Sequence, residues 1–225
     1  MIDIVITGSS GLIGAALSNY FTQSKLNVVN LDLELGHDLE NEQFVKDWFA
    51  KNPAQSLVNA FAINDHMNSL KEENNFLDTP LENFKKVLNI NVTALFSVCR
   101  QFIFNNTSGS IVNFSSIYGA VSPDPKLYGK SEKDIAYGVS KAGVIQLSRH
   151  LAVHSAPNFR VNSIVLGGIM HQQNSEFISS YSNRVPLGRM ANLNDIYGLV
   201  EYLISEKSSY CTGAIFTLDG GWTAV

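Results

Sequence analysis

The chain has 225 residues, 45% of them hydrophobic and 16% charged, enough to bury the core of one sizeable domain. A formal net charge of −4 offers no general attraction to nucleic acid or anionic lipid, so the expected partner is a small molecule rather than nucleic acid or a membrane. No run approaches the roughly 18 consecutive apolar residues of a membrane span, and the start MIDIVITGSSGLIG lacks the basic segment and cleavage site of an export signal, which points to the cytoplasm.

Taken in chain order, short β-rich runs alternate with longer amphipathic segments. Strands are expected at IDIVIT, NVVNLD, SLVNAF, SIVNFS, RVNSIV and AIFTLD, and helices near residues 12–24, 41–51, 79–105 with a break, 135–156 and 193–205. The strand runs show little strict alternation, so both faces of a parallel sheet should be buried under helices. The fold class is therefore α/β, a single-domain doubly wound parallel sheet over residues 1–225. Residues 117–134 are polar, contain Pro123 and Pro125, and are expected to form a long loop, while residues 167–190 read as a second irregular stretch that covers a cleft.

The first strand runs into TGSSGLIG and then into an apolar-periodic helix. Gly8, Gly11 and Gly14 let the backbone turn tightly, approach a pyrophosphate and pack helix against strand, and the helix N-terminus favours negative charge. A plain tight turn is the alternative. Asp32 ends the second strand, eighteen residues beyond Gly14, where a carboxylate accepts bonds from ribose hydroxyls and repels a 2′-phosphate, so NAD is preferred over NADP. Asp38 either faces an adenine amine or caps the helix of DLENEQFVKDWF.

SIVNFSS delivers Ser115 and Ser116 at the strand end where open α/β sheets hold ligands. In YGVSK, Tyr137 and Lys141 lie one helical turn apart, so an ammonium can lower the phenol pKa toward working pH. A serine hydroxyl there either holds a reacting oxygen or merely ends the strand. Cys99 and Cys211 lack metal-ligand spacing and read as free thiols. His150 and His154 in HLAVH lack the glutamate of the zinc-protease motif, so no metal is expected.

These features together resemble the short-chain dehydrogenase/reductase family and its Rossmann fold. The resemblance runs through the glycine turn, VNA at 58–60, NINVTALF at 89–96, GSIVNFSS at 109–116, YGVSK at 137–141, RVNSI at 160–164 and TGAIFTLDGG at 212–221. It implies an oxidoreductase that passes a hydride between nicotinamide and a carbonyl or alcohol carbon, with Asn91, Ser116, Tyr137 and Lys141 as the catalytic set. Ser116 would orient the substrate oxygen, Tyr137 exchange its proton, Lys141 tune the tyrosine and bind the nicotinamide ribose, and Asn91 hold a water linking Lys141 to solvent. The resemblance also implies dinucleotide contacts at Thr7, Gly8, Ser10, Gly11, Leu12, Ile13 and Gly14 in the first turn. Beyond it, Asp32, Asp38 and Leu39 would serve the adenosine end, Asn59, Ala60 and Phe61 the third strand's edge, and Gly167 and Ile169, with Tyr137 and Lys141, the nicotinamide end.

The chain departs from the family's common pattern in several places. The G-x-x-G-x-x-G spacing is similar to the longer, nucleotide-sugar-modifying branch, whereas the ending DGGWTAV is similar to the shorter, oligomeric branch. Asn59-Ala60-Phe61-Ala62 replaces Asn-Asn-Ala-Gly, Leu166-Gly167 replaces Pro-Gly, and five residues between Asp32 and Asp38 leave no room for the usual helix. The gap from Ser116 to Tyr137 is longer than usual, and the extra loop carries Tyr118, Lys126, Tyr128, Lys130 and Lys133, offset by Asp124, Glu132 and Asp134. That loop either binds a polar substrate, a sugar or sugar acid, or is a solvated surface. SSIYG and DGGWTA are similar to family members of bacterial surface-sugar and flagellin-glycan pathways. His171 either touches a substrate carboxylate or phosphate or is an ordinary loop residue. The family's habit implies a homodimer or homotetramer through the helices near 92–105 and 135–156 and the apolar tail. The rivals are a 3-oxoacyl thioester reductase and a dinucleotide-binding regulator without turnover; the latter would be marked by loss of the tyrosine or lysine, and both are present.

Overall fold

The computed structural model describes residues 2–64, 76–128 and 132–225; His66 and Lys130 lie outside the described residues. Strands β1 (Ile2–Thr7), β2 (Val28–Leu31), β3 (Ala54–Asn59), β4 (Gly109–Ser116), β5 (Phe159–Leu166) and β6 (Ile215–Leu218) form one parallel sheet in the order β2-β1-β3-β4-β5-β6. Each falls on an expected run. Because side chains alternate across a strand, neighbours serve opposite layers. Val5, Leu57, Ile111 and Val161 face a core with Phe49, Phe102 and Val144, whereas Ile4, Ile6, Val58 and Val112 face one with Leu17, Phe21, Ile196 and Val200. Each fully buried aliphatic or aromatic side chain adds about 1.5–3 kcal/mol of transfer free energy, which is why runs without alternation become the sheet's interior.

The helices covering these faces are α1 (Leu12–Gln23), α2 (Glu42–Lys51), α3 (Leu81–Leu88), α4 (Leu95–Asn105), α5 (Ile135–Ser155), α6 (Ser175–Arg184) and α7 (Asn194–Ile204). The expected break within 79–105 is a π-helical turn, Asn89–Ala94, that joins α3 to α4. The run Leu81–Asn105 is long and apolar enough to cross a membrane. Its Val87, Leu95, Val98 and Phe102 are buried in the protein core instead.

Two expectations are corrected. The stretch 167–190 is not wholly irregular, because Asn174 Oδ1 accepts from Phe177 N at 2.8 Å and starts α6, with Tyr181 as its buried anchor. Asp38 does not cap α2: Asn41 does, accepting from Phe44 N at 3.1 Å, while Asp38 Oδ1 accepts from Glu40 N at 3.0 Å in a turn of its own. The long loop after β4 holds two short 3₁₀ turns, Ile117–Gly119 and Pro125–Leu127.

Candidate active site

β1 lies between β2 and β3, so connections leave its C-terminal edge to opposite sides and open a crevice there. Gly8 holds φ +69°, and a Cβ on it would stand 2.5 Å from Phe61 N and Cα. A Cβ on Gly14 would stand 2.1 Å from the Gly8 carbonyl oxygen. The turn itself therefore requires both glycines. Gly11 is different: its φ of −75° and ψ of 168° suit any residue, and a Cβ there would meet only the Gly8 oxygen, at 3.3 Å. Gly11 opens α1 with no side-chain cap and no acidic residue in the first turn, leaving the N–H end at Leu12 and Ile13 open to an anion. Among the described residues, the buried Ser9 hydroxyl beside this turn has no hydrogen-bond partner. A small-residue cradle, a bare helix N-terminus and an unpartnered hydroxyl all fit a diphosphate.

Asp32 braces the same turn, with Oδ2 accepting from Ser10 N at 2.9 Å and Oδ1 from Glu34 N at 3.0 Å. Each carboxylate oxygen keeps further lone-pair capacity for a ribose hydroxyl. Asp38 is exposed nearby, while the Leu39 side chain belongs to the core and leaves only its main chain to a ligand.

The side chains of Thr7 and Asn59, both expected at the cofactor, are turned into the protein. Thr7 Oγ1 donates to Asn59 Oδ1 at 2.8 Å, Asn59 Nδ2 donates to Asn113 Oδ1 at 2.8 Å, and Asn113 Nδ2 donates to Ser148 Oγ at 2.9 Å. This buried ladder ties β1, β3, β4 and α5 beneath the crevice. Sequence reasoning missed Asn113 and Ser148; the available signal was an asparagine inside the apolar run SIVNFS. Above the ladder, Ala60 N donates to Thr7 O at 3.0 Å, and Phe61 packs partly against the core. At the far side Gly167 N donates to Leu218 O at 2.9 Å, and Ile169 bridges to Ala191. Gly168 N donates to the Tyr181 hydroxyl at 2.6 Å, so α6 packs down on the strand end.

The two serines of β4 have separate tasks. Ser115 Oγ donates to the Lys141 carbonyl at 2.8 Å, fastening α5, whereas Ser116 Oγ accepts from Tyr118 N at 3.2 Å and lies close enough to the Tyr137 phenol to favour its ionised form. A Cβ on Gly119 would stand 2.6 Å from the Lys141 carbonyl carbon, so only glycine lets the loop after β4 lie this close to α5. Lys141 Nζ is 5.6 Å from the Tyr137 ring centroid and donates to the Phe114 carbonyl at 3.0 Å. Burial pushes the Tyr137 phenol up to about 12, with the Ser116 hydroxyl opposing, and lowers the Lys141 ammonium to about 8. The expected lowering of the tyrosine by the lysine is thus not realised in the chain alone. Desolvation is the leading influence on the phenol, and the Lys141 ammonium donates to a carbonyl instead.

Asn91 sits in the π-helical turn, buried, and Oδ1 accepts from Ile63 N at 2.8 Å. Its Nδ2 donates to Ile63 O at 3.1 Å and to Ser140 Oγ at 3.0 Å. Both amide hydrogens are used, so this side chain clamps the loop after β3 onto α5 rather than offering a donor to water. In the long loop, the Tyr118 and Tyr128 hydroxyls meet at 2.5 Å, Asp124 pairs with Arg184 of α6, and Lys133 Nζ lies 4.7 Å from the Tyr137 ring centroid. His171 lines a cleft of about 670 Å³ with Ser10, Gly11 and Leu12, between α1 and α7.

Comparison with known proteins agrees with this geometry. Residues 21–223 match the profile of the family described as Enoyl-(Acyl carrier protein) reductase. An uncharacterized short-chain type dehydrogenase/reductase of Sinorhizobium fredii is 30% identical over 99% of this chain, which spans 44% of that protein's length. D-arabinitol 2-dehydrogenase (ribulose-forming) of Candida tropicalis is 27% identical, covering 97% of this chain and 91% of that one. Post-translational flagellin modification protein A of Campylobacter coli is 26% identical, covering 97% of both. A crystal structure of a short chain dehydrogenase from Leptospira borgpetersenii with bound NAD+ superposes with a TM-score of 0.88 at 31% identity, covering 99% of this chain and 94% of that one. A glycine turn at a parallel-sheet switch point, a serine, tyrosine and lysine beside it, and matches over nearly the whole length make this chain a member of the short-chain dehydrogenase/reductase family, the nicotinamide-dependent oxidoreductases.

Proposed function

We propose that the chain oxidises or reduces a secondary alcohol or ketone of a small polyhydroxylated substrate, a sugar or sugar derivative, with NAD preferred over NADP. The observation that carries this is Tyr137 on α5, with Lys141 Nζ 5.6 Å from its ring centroid and Ser116 at the end of β4 acting on its phenol, at the same sheet edge as the glycine turn. The names of the arabinitol dehydrogenase and the flagellin-modifying relative support a sugar-like substrate. When bound, the nicotinamide ring takes or supplies the hydride. Tyr137 accepts the hydroxyl proton as the carbon is oxidised and returns it in the reverse direction, and Ser116 holds the reacting oxygen. Lys141 places an ammonium beside the phenol, Asn91 keeps the loop after β3 fastened to α5, and Gly8, Gly11 and Gly14 form the diphosphate cradle. Asp32 takes the adenosine ribose, and its negative charge disfavours a 2′-phosphate. Asp38 lies within the same exposed edge for the adenine.

The proposed homodimer or homotetramer uses α4, α5 and the tail, supported by the exposed Phe96, Phe104, Val153 and Val225. Light scattering at micromolar concentration should show it. The proposed working place is the cytoplasm. A thioester reductase is the second reading, favoured by the description of the matching family profile. The deciding experiment follows nicotinamide absorbance with a panel of polyols, sugars, sugar acids and 3-oxoacyl and enoyl thioesters, each with NAD(H) and NADP(H). Turnover of thioesters alone overturns the sugar reading.

A further inference from the structure

The long loop places a second lysine on the candidate proton donor. Lys133 Nζ lies 4.7 Å from the Tyr137 ring centroid, nearer than Lys141 Nζ at 5.6 Å, and comes from the opposite direction along the chain. Its neighbours decide what that ammonium can do. Two of the loop's three carboxylates, Asp124 and Glu132, are engaged elsewhere. Asp124 pairs with Arg184 and accepts from Lys126 N at 3.0 Å. Glu132 Oε2 accepts from Phe76 N at 2.8 Å. Burial lowers the Lys133 ammonium to about 8, opposed by the adjacent Asp134, whose Oδ1 caps α5 by accepting from Ala136 N at 2.9 Å while its buried Oδ2 has no hydrogen-bond partner among the described residues. Among the described residues, the hydrogen-bond partner of Lys133 is a neutral amide oxygen, Asn64 Oδ1, at 2.5 Å. Lys126, by contrast, is exposed.

Among the described residues, Lys133 thus has a neutral partner and an aromatic face but no ion pair, which leaves its charge open beside the Tyr137 ring. A substrate anion would repair that deficit. We propose that Lys133, positioned by Asn64, is an anion subsite that selects substrates carrying a carboxylate close to the reacting carbon, so that the preferred substrates are polyhydroxy acids rather than neutral polyols. This rests on the reading that Tyr137 serves a sugar-like substrate and names which class of it is preferred. It also resolves the loop's two sequence readings differently for different lysines: Lys126 belongs to the solvated surface and Lys133 to the site.

The test compares gluconate with glucitol in the full chain with NAD, with NADH affinity measured separately by fluorescence and gluconate binding to the NADH complex measured by calorimetry. Wild type should bind and oxidise gluconate with the lower KM. Lys133→Met should raise the gluconate KM and weaken its binding roughly 10- to 100-fold, the worth of one hydrogen bond to a charged group, with the glucitol parameters and NADH affinity nearly unchanged. Lys133→Arg should restore the preference, which separates loss of charge from damage to the fold. Equal losses of kcat on both substrates would overturn the inference, because Lys133 would then act through Tyr137. NADH binding without any gluconate binding would also overturn it, leaving the oxidoreductase reading intact; absence of NADH binding would sink both.

Discussion

Gly11→Ala separates a glycine kept for a ligand from one kept for the fold. In the protein alone this Cβ has room: its backbone angles are ordinary, and its one close neighbour is the Gly8 carbonyl oxygen at 3.3 Å. A few tenths of an ångström of adjustment, plus the modest preference for glycine over alanine at a helix start, cost about 1 kcal/mol together. For a chain of this size that lowers the melting temperature by about 2–4 °C. A diphosphate seated on the first turn of α1 has no such room. Its oxygens would be pushed from the N–H groups, each such charge-assisted bond being worth about 1.5–3 kcal/mol, so NADH affinity should fall roughly 10- to 100-fold. Thermal melting and NADH fluorescence titration read the two effects independently. Gly14→Ala is the control, because its Cβ would overlap a main-chain oxygen at 2.1 Å and the loss should appear in folding itself. Unchanged NADH affinity in a folded Gly11→Ala protein would refute the placement of the diphosphate, and a collapse in melting temperature would refute the claim of spare room.

Tyr137→Phe removes the exchangeable proton while keeping the ring, so kcat should drop about 10²- to 10⁴-fold with NADH affinity nearly unchanged; comparable turnover in steady-state assays would end the assignment. Asp32→Asn deletes the charge and leaves a single side-chain oxygen, so it keeps only one of the two bonds that Oδ2 and Oδ1 accept from Ser10 N and Glu34 N. The ratio of NADP to NAD efficiency should rise about tenfold, equivalent to ~1.4 kcal/mol, and no change in ratio would show that another residue sets cofactor choice. Lys141→Met tests the buried ammonium through pH. In the wild type its pKa is lowered from 10.5 to about 8, so between those values the unfolded chain binds the proton and the folded one does not, and stability rises with pH. Below pH 8 both states are charged and the burial cost is constant. Denaturant titrations should therefore find the stability difference between variant and wild type moving in the wild type's favour by on the order of 3 kcal/mol from pH 8 to 10.5; parallel curves would mean the ammonium is well solvated.

What was readable in the sequence follows the physics of each part. The strands were readable because burial on both faces demands unbroken apolar runs, and α1 and α5 because each carries a strong start, a glycine turn or Asp134, next to apolar residues. α6 was not, since SEFISSYSNR buries little beyond Tyr181 and its polarity resembles a loop. Asp38 and Asn41 are both good helix starters ahead of one apolar run, and only the 3.1 Å bond from Phe44 N selects Asn41. Thr7 and Asn59 look like ligand contacts because a polar strand end has the same letters whether it faces a cleft or a neighbouring strand. Their partner, Asn113, is 54 residues beyond Asn59 in the chain.

The same reasoning explains why the tyrosine's surroundings could be only half read. Lys133 and Lys141 each stand four residues from Tyr137, so spacing nominates both equally. Their roles diverge through tertiary partners: Lys141 finds the Phe114 carbonyl beneath the sheet edge, and Lys133 finds Asn64 across the crevice. Whether Lys133 has charge to spare depends in turn on Arg184 and Phe76 N having drawn off Asp124 and Glu132, 60 and 56 residues apart in sequence. Local pattern can thus place a cation beside a phenol, but the charge left for a substrate is set by long-range competition for the neighbouring carboxylates.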